Sequence, residues 1–405
     1  MCNVDEESID KFMKDIPAES LMGMVEETYE DLLKGTNKKK IFQGIISKDF
    51  NRDVAGLVLD ICLTRKKSKG KFTDHERLYF TSEGLRWATP EIAADHCAGR
   101  LEGYNIADLT CGQGGQVISF SRVAENVIAV DIDPLNCLIT RMNLRSLGIG
   151  NVEVINSDCL SQSVMDRLDD GYVLFSDPAR PEGSRERTMD EIIPDPRQIE
   201  RAYRDTVPGM CFEIPPYMSL ERIKFDHEAE YISIDGRINR LNIYLGELKK
   251  ANRSSVVLPS GGYLMGEPFP IEEEYTPENM IGSYINEVDP TVVASELLGN
   301  LIKENGWRVS SLKLDHRRTL LLSKNLLSSS FIKSSYEVLG IADNLPELKG
   351  KLMEAGAGSV TLRYSVKPRD YWKIRNDLEE NLEGKMKVSV FRKGDYIMAR
   401  KISEG

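Results

Sequence analysis

Two aspartates and the glycine-rich turn between them are the residues best placed to do chemistry in this chain of 405 residues. Asp108 closes a first short apolar run, and Asp131 stands 23 residues later at the close of a second. Between them Gly112, Gly114 and Gly115 offer bare backbone for close approach to a ligand. A carboxylate at the position of Asp131 suits the two hydroxyls of a ribose. A dinucleotide fingerprint wants G-x-G-x-x-G, and here Gly112 and Gly114 fill the first two positions while Val117 occupies the third. The close helix–strand approach that a pyrophosphate needs is therefore missing, and Asp108 would repel it. The spacing favours a smaller, cationic ligand carrying a ribose. Further acidic residues, Asp158 and Asp177, stand at the ends of two later apolar runs.

The elements that must position these residues read as half of a doubly wound α/β fold. The runs Ile106 to Leu109 and Val127 to Val130 flank the turn and a helix-length segment. In such folds the ligand sits beyond the carboxyl ends of the parallel strands, facing a helix N-terminus. Pro134 opens a helix to Leu147 with Leu135, Leu138, Ile139 and Met142 on one face, and Gly148 ends it. Strands follow at Val152 to Asn156, Tyr172 to Ser176 and Gly209 to Glu213.

Upstream, Glu6 to about Leu101 reads as helical, with segments Ile16 to Leu33 and Val54 to Thr64. The lysine-rich breaks Lys38 to Lys40 and Lys66 to Lys71 read as solvated turns that could also touch a polyanion. Thr89 reads as a helix cap with Pro90 at the first helical position. Downstream, alternating runs at Ala229 to Ile234, Leu241 to Leu248 and Ser255 to Leu258 read as strands completing the sheet. A helix capped by Asp289 runs to near Gly306, and strands Arg308 to Leu314 and Thr319 to Leu322 follow. The segment from Ser330 on reads as a separate small α/β module, with 14 basic against 11 acidic residues over 331–405, in a chain that nets −11.

That net charge, with a pI near 5.2, excludes coating of nucleic acid through bulk electrostatics, so any such contact must be local. Hydrophobic residues at 41% and charged residues at 29% are ordinary for a globular chain. The seven cysteines include no C-x-x-C and the four histidines no ligand spacing, so no metal is expected and the thiols read as reduced. The N-terminus MCNVDEESID carries no signal-peptide pattern, and no uncharged apolar stretch reaches the roughly 18 residues of a membrane span. A cytoplasmic location is expected.

The run D-L-T-C-G-Q-G-G followed by V-I-A-V-D-I-D-P resembles the first two motifs of class I S-adenosylmethionine-dependent methyltransferases. Asp108 would take the ammonium of that cofactor. The resemblance implies cofactor binding by Asp108, Thr110, Gly112, Gly114, Asp131, Ile132, Asp158 and Cys159, with Asp158 meeting the adenine amine or, on its own residue pattern, capping a helix. It also implies that the fourth strand carries the substrate-handling group. Amino-methylating enzymes of the class keep Asn or Asp, two prolines and an aromatic there. Asp177 and Pro178 match this pattern; Ala179 and Arg180 depart from it. Arg180 would then bind a phosphate or stack through its guanidinium plane. A second cluster, Ile214-Pro215-Pro216-Tyr217, follows the fifth strand and reads as a pocket wall or an ordinary loop.

From Phe80 to Ile402 the chain is similar to class I methyltransferases with a C-terminal THUMP-like domain, through FTSEGLRWATPEIA, DPAR, ISIDGRINRLNIYLG, VDPTVVA and GAGSVTLRYSVKPRDYW. The expected organisation is a Rossmann-like methyltransferase sheet over 99–328, an N-terminal helical region over 1–98 and a THUMP-like module over 329–405. The core is also similar to enzymes that methylate guanine amino groups in RNA, so tRNA or rRNA is the implied substrate. Methylation of a protein or small molecule, and cofactor binding without catalysis, stay open.

Overall fold

The structure, a computed structural model, describes residues 17–47, 52–179, 191–271, 280–315 and 318–402. Two compact units emerge, Met1–His227 with Asn242–Lys250, and Glu228–Leu241 with Ala251–Gly405.

In the first unit, strands β1 (Asn105–Asp108), β2 (Val127–Asp131), β3 (Val152–Asn156), β4 (Tyr172–Ser176) and β5 (Gly209–Ile214) lie in the order β3-β2-β1-β4-β5 and run parallel. β1, β2, β4 and β5 are buried almost throughout, as strands covered on both faces must be, which is why they read as unbroken apolar runs. Ile106, Val117, Phe120, Val127, Val173 and Phe175 share one core cluster, with the Phe120 and Phe175 rings edge to face at 5.1 Å. Parallel strands all point their carboxyl ends the same way. Asp108 and Asp131 therefore close β1 and β2 on one rim, and Asp158 and Asp177 follow β3 and β4 there. The strand order reverses between β2-β1 and β1-β4, the place where such sheets open a ligand crevice.

The expected helix Pro134–Leu147 is found with those bounds: Asp133 caps its start, and Gly148 ends it with φ of 74°. Its outer face packs against the N-terminal helices Ala18–Leu33, Lys38–Ile46 and Arg52–Arg65, burying Leu138, Ile139 and Met142 with Leu21, Val25, Ile45, Val58 and Ile61. Lys38 to Lys40, expected as a turn, instead form the first turn of a helix. Asn37 caps it, its side chain accepting from Lys39 N–H at 2.9 Å, and Ile41 and Ile45 bury four residues apart. Lys67–Gly70 forms a short 3-10 turn, as the second lysine run suggested. Pro90 is the cap residue itself, and the helix begins at Glu91.

In the second unit, β6 (Glu228–Ile234) pairs parallel with β8 (Arg253–Leu258), which pairs antiparallel with β9 (Gly262–Gly266); β7 (Arg237–Gly246) contributes its residues up to Leu241. A seven-stranded sheet holds β10 (Tyr284–Val288), β11 (Val309–Asp315), β12 (Arg318–Ser323), β13 (Ile332–Ala342), β14 (Ala357–Leu362), β15 (Met386–Lys393) and β16 (Asp395–Lys401) in the order β11-β12-β10-β13-β16-β15-β14. The last residues were read as a separate module, but β13 pairs along β10, so their sheet continues into the preceding segment. A buried polar chain fixes that register: Ser335 Oγ donates to Asn286 Oδ1 at 2.8 Å, and Asn286 Nδ2 donates to Ser323 Oγ at 2.9 Å. The single helix expected from Asp289 to Gly306 is two, Pro290–Ala294 and Leu298–Glu304, because Glu296 adopts φ of 64° between them. Among the described residues no helix is long and apolar enough to cross a membrane.

Ile139 is fully buried at the junction of the N-terminal helices with the helix Pro134–Leu147. Ile139→Ala is expected to lower stability by about 2–5 kcal/mol, read as an earlier urea-denaturation midpoint; an unchanged midpoint would contradict this packing.

Candidate functional site

The rim of the parallel sheet gathers carboxyls that have little reason to be together in a purely structural core. Asp108 is 1% exposed; its Oδ1 accepts from Thr110 N–H at 3.1 Å, and its Oδ2 has no hydrogen-bond partner among the described residues. Burial pushes its pKa well above the ordinary carboxylate value; the Thr110 N–H opposes this, and the nearby charges of Asp177 and Asp131 push it further. Asp131 accepts from Gly112 N–H at 2.8 Å through Oδ2, and from Asp133 N–H at 2.9 Å and Asn136 Nδ2 at 3.3 Å through Oδ1. Its pKa is also raised, mainly by burial, against these hydrogen bonds. A buried, mutually repelling set of carboxyls is a receptor for a cation.

Beyond β1 the chain turns through Gly112 (φ 53°) and Gly114 (φ 85°), backbone shapes that side chains disfavour. A Cβ on Gly114 would also meet Thr140 at 3.1 Å, whereas one on Gly112 would meet open space. Gly112 thus leaves bare backbone toward the crevice. Thr140 Oγ1 donates to Gly112 O at 2.9 Å and holds the turn from the helix Pro134–Leu147.

Asp177 is half-buried, and its N–H donates to Thr110 Oγ1 at 2.8 Å. The same hydroxyl lies 3.3 Å from Ser176 Oγ, so Thr110 ties the end of β1 to the end of β4. Pro178 is buried; Ala179 is exposed and forms an isolated bridge with Ile193. Arg180 lies outside the described residues. Asp158 is exposed, and its Oδ1 accepts from Leu160 N–H at 2.8 Å, capping a turn; the helix that follows begins only at Gln162. Ile132 is 73% exposed, an apolar side chain at the rim of β2. Cys159 is buried, and burial pushes its thiol up to about 12, which disfavours the thiolate. Cys211 is fully buried in β5. Tyr217, after β5, is largely exposed.

Sequence reading missed the groups that hold the glycine turn from outside. Gln113 Nε2 donates to Thr81 Oγ1 at 2.9 Å, and Gln113 Oε1 accepts from Thr81 N–H at 3.0 Å. Asn143, fully buried, donates to both Tyr79 O and Gln113 O at 2.9 Å and accepts from Tyr79 N–H at 2.7 Å. The segment Tyr79 to Thr81 is thereby strapped onto the turn. The only signal was a polar residue on the buried face of an otherwise apolar helix.

The arrangement fits S-adenosylmethionine on its own chemistry. Asp108 Oδ2, buried and unsatisfied among the described residues, suits the α-ammonium; Asp131 stands where ribose hydroxyls are taken; the bare backbone at Gly112 admits close approach.

Comparison with known proteins agrees. Residues 104–192 match the model of a family described as RNA cap guanine-N2 methyltransferase. An S-adenosylmethionine-dependent methyltransferase of Mycobacterium tuberculosis, strain H37Rv, is 28% identical over 273 residues, covering 64% of this chain and 72% of its own length. The crystal structure of a candidate methyltransferase from Porphyromonas gingivalis W83 superposes with a TM-score of 0.74 at 14% identity, covering 96% of this chain and 99% of that one, a likeness of fold.

Two outcomes are expected of the site. Asp131→Ala should weaken binding of S-adenosylmethionine by about 10- to 100-fold in calorimetry, the loss of hydrogen bonds to a charged acceptor. Because the folded pKa of Asp108 is raised, its contribution to stability is present below the ordinary carboxylate value and lost as pH rises through the raised one. A bound cation prefers the carboxylate, so cofactor affinity should strengthen over that same rise in pH. Asp108→Asn should flatten this dependence; an equally steep profile in the variant would place the titrating group elsewhere.

Proposed function

We propose that this S-adenosylmethionine-dependent methyltransferase modifies the exocyclic amino group of a guanine base in tRNA or rRNA. The observation that carries the reading is the match of residues 104–192 to a guanine-N2 methyltransferase family, a span that runs from β1 through the glycine turn to beyond Asp177-Pro178.

When bound, S-adenosylmethionine supplies an electrophilic methyl group on a sulfonium. The chain's own task is then to hold, orient and exclude. Asp108 receives the ammonium, Asp131 the ribose, Asp158 the adenine amine, with Ile132 and the wall at Cys159 covering the base. Asp177 accepts a hydrogen bond from the target amine and aims its lone pair along the transfer axis, a role that asks for position more than basicity. Its main chain is fixed for that purpose by Thr110 Oγ1, and Pro178 stiffens the exit from β4. Arg180 supplies a cation for a phosphate or a base plane in place of the family's aromatic. The cluster Pro215-Pro216-Tyr217 walls the substrate side. Residues 329–405, whose sheet continues into the preceding segment, are assigned the THUMP-like RNA-guiding role, with catalysis assigned to the methyltransferase region read over 99–328, after a helical region over 1–98.

Incubating the protein and labelled S-adenosylmethionine with RNA from a strain lacking it, then analysing nucleosides by mass spectrometry, should show new N2-methylguanosine. Asp177→Ala should lower the rate by about 10²-fold or more. RNA methylation intact in Asp177→Ala would remove that residue from the reaction, and label entering protein instead of RNA would overturn the substrate class.

A further inference from the structure

The second lysine run, left by the sequence as a turn or a polyanion contact, becomes specific in three dimensions. An open cavity of about 280 Å³ lies among Thr64, Lys67, Lys71, Ser82, Leu85 and Arg86 in the first unit. Lys67 and Arg86 on its lining are exposed, as are Lys66 and Lys69 next to Lys67 along the chain, a local concentration of positive charge in a chain that nets −11. Lys71 is the third cation of the lining, and its Nζ donates to Leu85 O and Ala88 O, each at 2.7 Å, which holds it in place. Opposing charge is present, since Glu83 is exposed and the Asp60 carboxylate accepts from Ser82 N–H at 2.7 Å. The cations outnumber it.

Beside the cavity Trp87 is 57% exposed, and the Arg86 guanidinium lies over its ring at 4.8 Å. An exposed tryptophan carrying an arginine presents a flat, cationic face of the kind on which unpaired bases stack. An acidic peptide would satisfy the lysines but would gain little from the aromatic plane. The position matters as much as the charge. Ser82, on the cavity wall, follows Thr81, which exchanges two hydrogen bonds with Gln113 of the glycine turn. The cavity wall and the glycine turn are thus joined through adjacent residues of one segment.

We propose that the surface around Lys67, Lys69, Arg86 and Trp87 docks the phosphate backbone of the RNA substrate and stacks one of its unpaired bases. The proposal rests on the RNA reading above and extends it to the lysine run Lys66 to Lys71, which precedes the methyltransferase resemblance, and to Arg86 and Trp87 in the lead-in at its start. It assigns the lysines to phosphates, hence to affinity and salt dependence, and Trp87 to a base.

The test uses the full chain and RNA extracted from a strain lacking the protein. The triple variant Lys67→Glu, Lys69→Glu, Arg86→Glu should raise the RNA KM by about tenfold or more at physiological salt. It should also flatten the dependence of log affinity on log salt by about two to three, near 0.9 per phosphate contact. Affinity for S-adenosylmethionine and the thermal midpoint should be unchanged, and the corresponding Gln variants should give a smaller loss. Trp87→Ala should weaken RNA binding while Trp87→Phe retains it. Wild-type RNA KM and salt slope in the triple variant, with the wild type methylating RNA, would overturn this surface and leave the function standing. A wild type that methylates no RNA would overturn the function itself. Reversal that impairs methylation of a protein substrate instead would overturn the RNA assignment.

Discussion

A carboxyl buried to 1% exposure with one oxygen lacking a hydrogen-bond partner among the described residues costs a fold about 1–3 kcal/mol, and Asp108 is such a group. Its neighbours Asp131 and Asp177 add repulsion instead of relief. Parallel strands make that accumulation unavoidable once each ends in an acid, because their carboxyl ends share one rim. The same rim then offers a cationic nucleoside carboxyls held in position before binding. The reversal of strand order beside β1 is where such sheets open a crevice, and of the two left-handed glycines Gly112 leaves open space while Gly114 packs against Thr140.

The glycine turn is held from several sides. Asp131 grips Gly112 N–H, Thr140 grips Gly112 O, and Asn143 joins Gln113 O to Tyr79. Tyr79 in turn donates its hydroxyl to Glu26, which forms a two-pronged pair with buried Arg65. A continuous chain of polar contacts thus runs from the N-terminal helices to the backbone that would face the cofactor. Within the first unit the helical region is part of the support of the site. Six cysteines among the described residues are buried and form no disulfide, in keeping with packing roles.

The parallel strands proved the easiest to read. β3 and β4 fell on the expected bounds, as did the helix between Pro134 and Leu147, marked by a proline at its start and a left-handed glycine at its end. Class I methyltransferase chemistry was legible because it needs backbone shape and charge at strand ends, and both are written locally. What was not legible depends on distant partners. β9 and β10 gave no clear pattern, and β10 gains its place by pairing with β12 and β13 through a buried Asn286. The helix from Asp289 was periodic in sequence yet broken at Glu296 by a single left-handed residue. Thr140, Asn143 and Gln113 could not be found as a set, since their common target is assembled only in three dimensions. The division of the chain was not legible either: the compact units part between His227 and Glu228 and again around Asn242–Lys250, where no motif marks a boundary.

The proposed reading rests cofactor recognition on Asp108, and a crystal structure of the protein with S-adenosylhomocysteine measures it directly. The account predicts the ligand's ammonium nitrogen within about 3.2 Å of Asp108 Oδ2 and its ribose hydroxyls on Asp131. A ligand bound with its amino acid tail away from Asp108, or outside the rim of the parallel sheet, would contradict it.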